Sequence, residues 1–192
     1  LWIAVIAGTI LRLYHLGQHS FWYDESTSLI GAEFVDWQFT FLSASESRLI
    51  PLFAVLGKIW HVLGTEVFGF TMGTNAGDAY LRLLPLIFGV PLIPMTYALA
   101  QYVLNNKTAA WVAAWGIALS PLQVYYAQEY RPHTIYAFLV CAGMYVSLRA
   151  LDEGTRKYWI ATVVIGVLAF YAYYFSAVYL VCMNVFALVN FN

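Results

Sequence analysis

The sequence predicts an all-α polytopic membrane protein, folded as a single transmembrane domain over residues 1–192. Three observations predict it. Of 192 residues, 62% are hydrophobic and 10% are charged, against about 45–50% and about 25% in an ordinary soluble domain. The apolar residues fall into uncharged blocks close to the ~20 residues a helix needs to cross about 30 Å of hydrocarbon. The few charges are also segregated, with seven acids and two bases in residues 18–78 and a net charge of +4 over the rest. Disorder and a soluble enzyme are excluded by the same composition. The chain opens at Leu1 without Met and stops inside an apolar run at Asn192, so it is expected to be a fragment of a longer chain.

The apolar run at the start predicts a first helix over residues 1–16. Residues 17–78 follow as an acidic outer loop carrying interfacial helices. Within it, residues 49–70 are apolar enough to span, but Lys58, His61 and Glu66 interrupt them and Pro51, Gly57, Gly64 and Gly69 weaken the helix. A crossing there would invert every later helix, so this segment is expected to lie on the outer leaflet, with Lys58 snorkelling.

Uncharged stretches at 83–106 and 108–128, and one at 132–148 broken only by His133, predict helices over 79–104, 108–122 and 129–151. Residues 158–192 are 35 uncharged residues, roughly 50 Å as one helix. Two helices, 157–174 and 176–192, fit better. The connections holding Lys107, Arg149, Arg156 and Lys157 are then cytoplasmic by the positive-inside rule, and the acidic loop is outside. The sequon Asn106-Lys107-Thr108 falls inside, where it would not be glycosylated. Cys141 and Cys182 read as small packing residues in apolar runs. Tyr171, Tyr173, Tyr174 and Tyr179 read as an interfacial aromatic belt or as a stacking surface for sugar or isoprenoid.

Chemistry concentrates at the outer helix ends. In Ser20-Phe21-Trp22-Tyr23-Asp24-Glu25-Ser26-Thr27-Ser28, two adjacent carboxylates follow an aromatic interface anchor. They suit a general base, or a helix N-terminal acid pair held by the macrodipole. In Gln128-Glu129-Tyr130-Arg131-Pro132-His133, Glu129 and Arg131 read either as a local ion pair or as part of an anion site, since a guanidinium offers phosphate a planar donor fork. Arg48 and Arg82 add positive charge at the same face. Acids beside bases suit a reaction in which an acceptor loses a proton and a phosphate leaves. No glycine-rich nucleotide loop, HExxH or paired CxxC is present, so hydride transfer, ATP hydrolysis and zinc chemistry have no support. The charge is too small and scattered for nucleic acid.

Taken in order, these segments resemble the GT-C class of membrane glycosyltransferases, in the branch of the RgtA/B/C/D-like enzymes, the protein O-mannosyltransferases and the lipid A aminoarabinose transferases. Leu11-Arg12-Leu13-Tyr14-His15-Leu16-Gly17 with Phe21-Trp22-Tyr23-Asp24-Glu25 resembles the first helix and its W-x-D-E loop. Arg82-Leu83-Leu84-Pro85 with Phe88-Gly89 resembles R-L-x-S-A-L-F-G. Ser120-Pro121 through His133 resembles S-P…Q-E-A-R-x-Y. The family's H-P-P-L or E-K-P element is replaced by Ser47-Arg48-Leu49-Ile50-Pro51-Leu52-Phe53, which leaves a divalent metal ion an open question and no other cofactor implied.

The resemblance implies a GT-C helix bundle. It also implies inverting transfer of a hexosyl or pentosyl group from a polyprenyl-phosphate-linked sugar to a lipid, glycan or protein acceptor, on the outer side of the plasma (inner) membrane. Asp24 would be the base and Glu25 its orienting or assisting partner. Arg131, Arg48 and His133 would bind the donor phosphate, with Glu129 positioning Arg131 and with Gln128, Tyr23 and Arg82 in support. A secondary transporter would instead place charges near the midplane in repeated halves, and a non-catalytic membrane subunit would not need acids and bases to converge.

Overall fold

The computed structural model describes residues 1–33 and 51–190. Among them the regular structure is helical: α1 (Trp2–Leu13), α2 (Tyr23–Glu33), α3 (Pro51–Val62) running into a π-helical turn (Leu63–Val67), α4 (Asn75–Gly89), α5 (Leu92–Leu104), α6 (Lys107–Leu119), α7 (Pro121–Ala127), α8 (His133–Glu153), α9 (Arg156–Ala172) and α10 (Ser176–Asn190).

Local chemistry sets the boundaries. Thr74 caps α4 by accepting the Gly77 amide at 3.2 Å, and the Asp78 carboxylate accepts the Gly73 amide at 3.1 Å; α4 therefore starts four residues before the expected position 79. The expected helix 79–104 is divided at Val90-Pro91, where proline supplies no amide to continue the ladder. Asn105 takes the left-handed conformation (φ +47°) that ends α5. Asn106 then caps α6, its Oδ1 accepting from Thr108 N at 2.9 Å and Ala109 N at 3.2 Å. The expected helix 108–122 stops at Leu119 because Ser120 and Pro121 start a new one, the Ser120 hydroxyl accepting the Gln123 amide. Gly154, at φ +63°, ends α8 and begins the reversal into α9.

Six crossings were expected from the uncharged blocks. Among the described residues, two stretches are long and apolar enough to cross a membrane, Asn75–Leu104 and His133–Glu153. The other apolar helices, α1, α6, α9 and α10, run to 12, 13, 17 and 15 residues, short of the ~20 that span hydrocarbon squarely.

The packing follows from where small residues lie. Ala110, Ala114 and Ala118 form a buried stripe on α6, and Gly8 of α1 sits against it, a Cβ at Gly8 falling 3.3 Å from the Ala118 Cα. Such small-residue contacts let helix backbones approach closely. A second core joins Phe53 of α3, Leu81 and Leu84 of α4, Tyr130 of the turn before α8, Ile135 and Leu139 of α8, and Ala169 and Ala172 of α9. Beside these apolar cores, two features depart from a water-soluble protein. Arg12, Glu25, Lys58, Asp78, Arg82 and Glu129 are buried, while Ile3, Ile6 and Ile10 of α1, Val163 and Val167 of α9, and Val178, Val181, Val185 and Leu188 of α10 face outward.

Lys58 corrects one expectation. It does not snorkel: its side chain is buried against α2, and the ammonium donates to the Ala32 carbonyl at 3.2 Å. A cation there complements the carbonyl end of α2.

Candidate active site

Adjacent residues on a helix point about 100° apart, so the two acids in the first turn of α2 are separated by geometry. Glu25 turns inward and is 1% exposed. Its Oε1 accepts from Arg82 Nε at 3.0 Å and from the Tyr130 backbone amide at 2.7 Å, and its Oε2 accepts from Arg82 Nη2 at 2.8 Å. Arg82 also donates through Nη1 to the Leu16 and His19 carbonyls, at 3.0 and 2.8 Å, and lies over the Phe21 ring. One buried ion pair thus joins the 14–22 turn, α2, α4 and the turn between α7 and α8. Arg82 stands mid-helix rather than at the head of a span, and sequence reading missed this connection because it depends on a backbone amide 105 positions away from Glu25.

Asp24 turns the other way. Its carboxylate pairs with Arg131, Nη2 to Oδ2 at 3.3 Å, the two side chains being 37% and 23% exposed. Arg131 Nη1 also donates to the Asp24 carbonyl at 3.2 Å. The acid and the guanidinium, 107 positions apart in the chain, share one accessible spot next in sequence to the Glu25 carboxylate and the Tyr130 amide that it holds.

The remaining residues divide. Gln128 Nε2 donates to the Leu11, Arg12 and Tyr14 carbonyls at 3.2, 3.2 and 2.7 Å, so it caps α1, and it also lines the cleft beside Glu129. His133 is held between aromatic rings, 4.6 Å from Tyr126 and 5.7 Å from Tyr173. Tyr23 is 82% exposed. Arg48 lies outside the described residues. The tyrosine cluster separates, with Tyr171 and Tyr174 exposed and Tyr179 buried beside Ser147.

Glu129 departs from its expected part. Among the described residues, its carboxylate forms no ion pair with Arg131, to which it is joined only through the Glu129 carbonyl and the Arg131 amide. The side chain is 5% exposed, and its partners are the side chains of Tyr125 and Trp22. It lines a cleft of about 260 Å³ with His15, His19, Ser20, Trp22 and Tyr125. Burial raises its pKa above the usual carboxylate range; the hydrogen bond from Tyr125 opposes this, the charge of Glu25 adds to it, and the charge of Arg131 and the hydrogen bond from Trp22 also oppose it.

Sequence reading also gave Arg12 no role of its own. It is fully buried, Nη1 donating to the Gly8 and Ala118 carbonyls at 2.9 and 3.1 Å and Nη2 to Ile117 at 3.0 Å. A lone arginine inside the apolar run 1–14 was the available signal, since a charge there needs partners. No group of three or more His, Cys, Asp or Glu able to hold a metal ion occurs among the described residues.

Residues 60–191 match the family model described as dolichyl-phosphate-mannose-protein mannosyltransferase. The match contains Arg82, Gln128, Glu129, Arg131 and His133, and it begins after Asp24 and Glu25. No curated protein and no solved structure matches the chain. Since the matched segment covers well over half of the sequence, the chain belongs to this family of GT-C membrane glycosyltransferases.

Proposed function

We propose that the chain transfers a sugar from a polyprenyl-phosphate donor to an acceptor hydroxyl at the outer membrane face, with inversion, and that Asp24 and Arg131 are the reacting pair. The observation that carries this reading is their accessible contact at 3.3 Å, built on a buried ion pair that fixes both backbones. Asp24 takes the proton of the acceptor hydroxyl as its oxygen bonds to the anomeric carbon. The bond from that carbon to the phosphate oxygen breaks, and the departing polyprenyl phosphate carries its negative charge to Arg131. The donor phosphate competes for the guanidinium fork, so donor binding loosens Arg131 from Asp24 and frees the carboxylate to act as a base. Glu25 and Arg82 are positioning residues, because their polar atoms are engaged with each other and with backbone.

The test is sugar transfer by the protein in membranes, supplied with a panel of polyprenyl-phosphate sugars, wild type against Arg131→Ala. A group that neutralises developing charge is worth about 10²–10³ in turnover, so the variant should lose that much while still inserting normally. Wild-type turnover in Arg131→Ala would remove Arg131 from the reaction.

A further inference from the structure

We infer that the end of the bundle opposite the candidate active site binds anionic phospholipid headgroups, through Lys107 of α6 and Arg156 and Lys157 of α9. The placement comes from α8. It leaves the 128–132 turn at His133 and ends at Glu153, 21 residues later, a length of about 30 Å that matches the hydrocarbon thickness of a bilayer. Two connections meet at that far end, because Tyr102 of α5 donates to the Asp152 carboxylate of α8 and its ring packs against Tyr145. Both connections are built alike. Asn105 and Gly154 each take a left-handed φ, +47° and +63°, Asn106 and Thr155 follow as N-cap residues, and a base opens the next helix.

Residues 102–107 and 149–158 carry four bases and two acids, and both acids are engaged within the protein. Asp152 accepts from Tyr102, and Glu153 pairs with Arg149, whose guanidinium lies 5.4, 5.8 and 5.0 Å from the rings of Tyr102, Tyr145 and Tyr158. That clasp ties α5, α8 and α9 together and leaves the other three bases over. Lys107, Arg156 and Lys157 are exposed, and none of them forms an ion pair among the described residues. Neither α6 nor α9 has an acid in its first turn, so the positive end of each helix adds to the field of its bases.

The partner's chemistry follows from what lies beneath these charges. Trp111 is four residues past Lys107, and Trp159 is three past Arg156, so on both helices an indole sits one turn, about 5 Å, deeper than the base. Bases outside a tier of indoles match a headgroup layer: ammonium and guanidinium groups reach lipid phosphates while the rings stay at the hydrocarbon boundary. A soluble anion has no use for that second tier.

The test is native mass spectrometry of the protein released from micelles that hold equal amounts of phosphatidylglycerol and phosphatidylcholine. Phosphatidylglycerol should be retained in preference, and less so as ammonium acetate is raised. A base beside an anionic surface contributes about fivefold, so each single exchange to Gln should weaken retention by about that factor. The triple variant Lys107→Gln, Arg156→Gln, Lys157→Gln should hold the two lipids alike. The charge-preserving triple Lys107→Arg, Arg156→Lys, Lys157→Arg should keep the preference, as should Arg131→Ala at the other end of the molecule. The inference is overturned if wild type holds both lipids equally, if the glutamine triple keeps the preference, or if the charge-preserving triple or Arg131→Ala loses it. Displacement of the lipid by millimolar inorganic phosphate would also overturn it, by making the patch a soluble-anion site. Because lipid retention is read without turnover, these outcomes leave the roles of Asp24 and Arg131 untouched.

Discussion

The carboxylate of Glu25 is filled by Arg82 and the Tyr130 amide, whereas that of Asp24 keeps an accessible side, and the two should differ in how much stability their mutation costs. Removing one member of a buried, hydrogen-bonded ion pair costs about 3–5 kcal/mol. Glu25→Ala should therefore lower the unfolding free energy in detergent by about that much, while Asp24→Asn, at a partly exposed pair, should lower it by less than about 1 kcal/mol. Glu129 provides a pH test. Its pKa is raised in the folded protein, so the unfolded chain ionises first as pH rises. The cost of burying this carboxylate is then absent below its unfolded pKa and fully present above its folded one. Glu129→Gln should match the wild type in thermal stability near pH 4 and become the more stable protein as pH rises towards neutral. Parallel curves across that range would contradict the burial assigned to Glu129.

Helices meet at this site through single close contacts, and those contacts can be broken one at a time. Gly57 of α3 lies against Tyr130, where a Cβ would come within 2.5 Å of the phenolic oxygen. Gly57→Ala should displace the residue whose amide holds Glu25, costing about 1–3 kcal/mol as an overpacked core does, with a loss of transfer activity beyond that expected from stability alone. Arg12→Met removes three hydrogen bonds to α1 and α6 carbonyls and should destabilise by about 3 kcal/mol; differential scanning fluorimetry reads both variants.

Much at this scale was legible in the sequence. The uncharged runs placed α6, α8, α9 and α10 to within four residues, but ran α4 and α5 together as one helix and gave no separate α7; the expected topology put 24–25 and 128–133 at one set of helix ends. What was not legible depended on direction. Nothing in the sequence said that Glu25 turns in and Asp24 out, that Gln128 reaches back to the end of α1, or that Lys58 is drawn under α2, because each is decided by partners distant in the chain.

Among the described residues, six charged side chains are buried and many aliphatic side chains face outward, an arrangement suited to hydrocarbon surroundings, while Lys107, Asp152, Glu153, Arg156 and Lys157 are exposed at helix ends. Cys182 is exposed on α10, the helix that also presents Val178, Val181 and Val185 outward. In a Cys141→Ala background, a water-soluble maleimide should leave Cys182 unmodified in intact membranes and label it after denaturation. Rapid labelling of intact membranes would place that helix in water. The pairing of an acid from α2 with a guanidinium from the turn before α8 is the arrangement from which the proposed chemistry follows. Its most direct test compares wild type with Asp24→Asn for transfer from a polyprenyl-phosphate sugar in membranes. Loss of a general base predicts a fall of about 10²–10⁴ in turnover, with insertion and donor binding preserved. Turnover equal to wild type in Asp24→Asn would contradict the assignment of the base and, with it, the reacting pair.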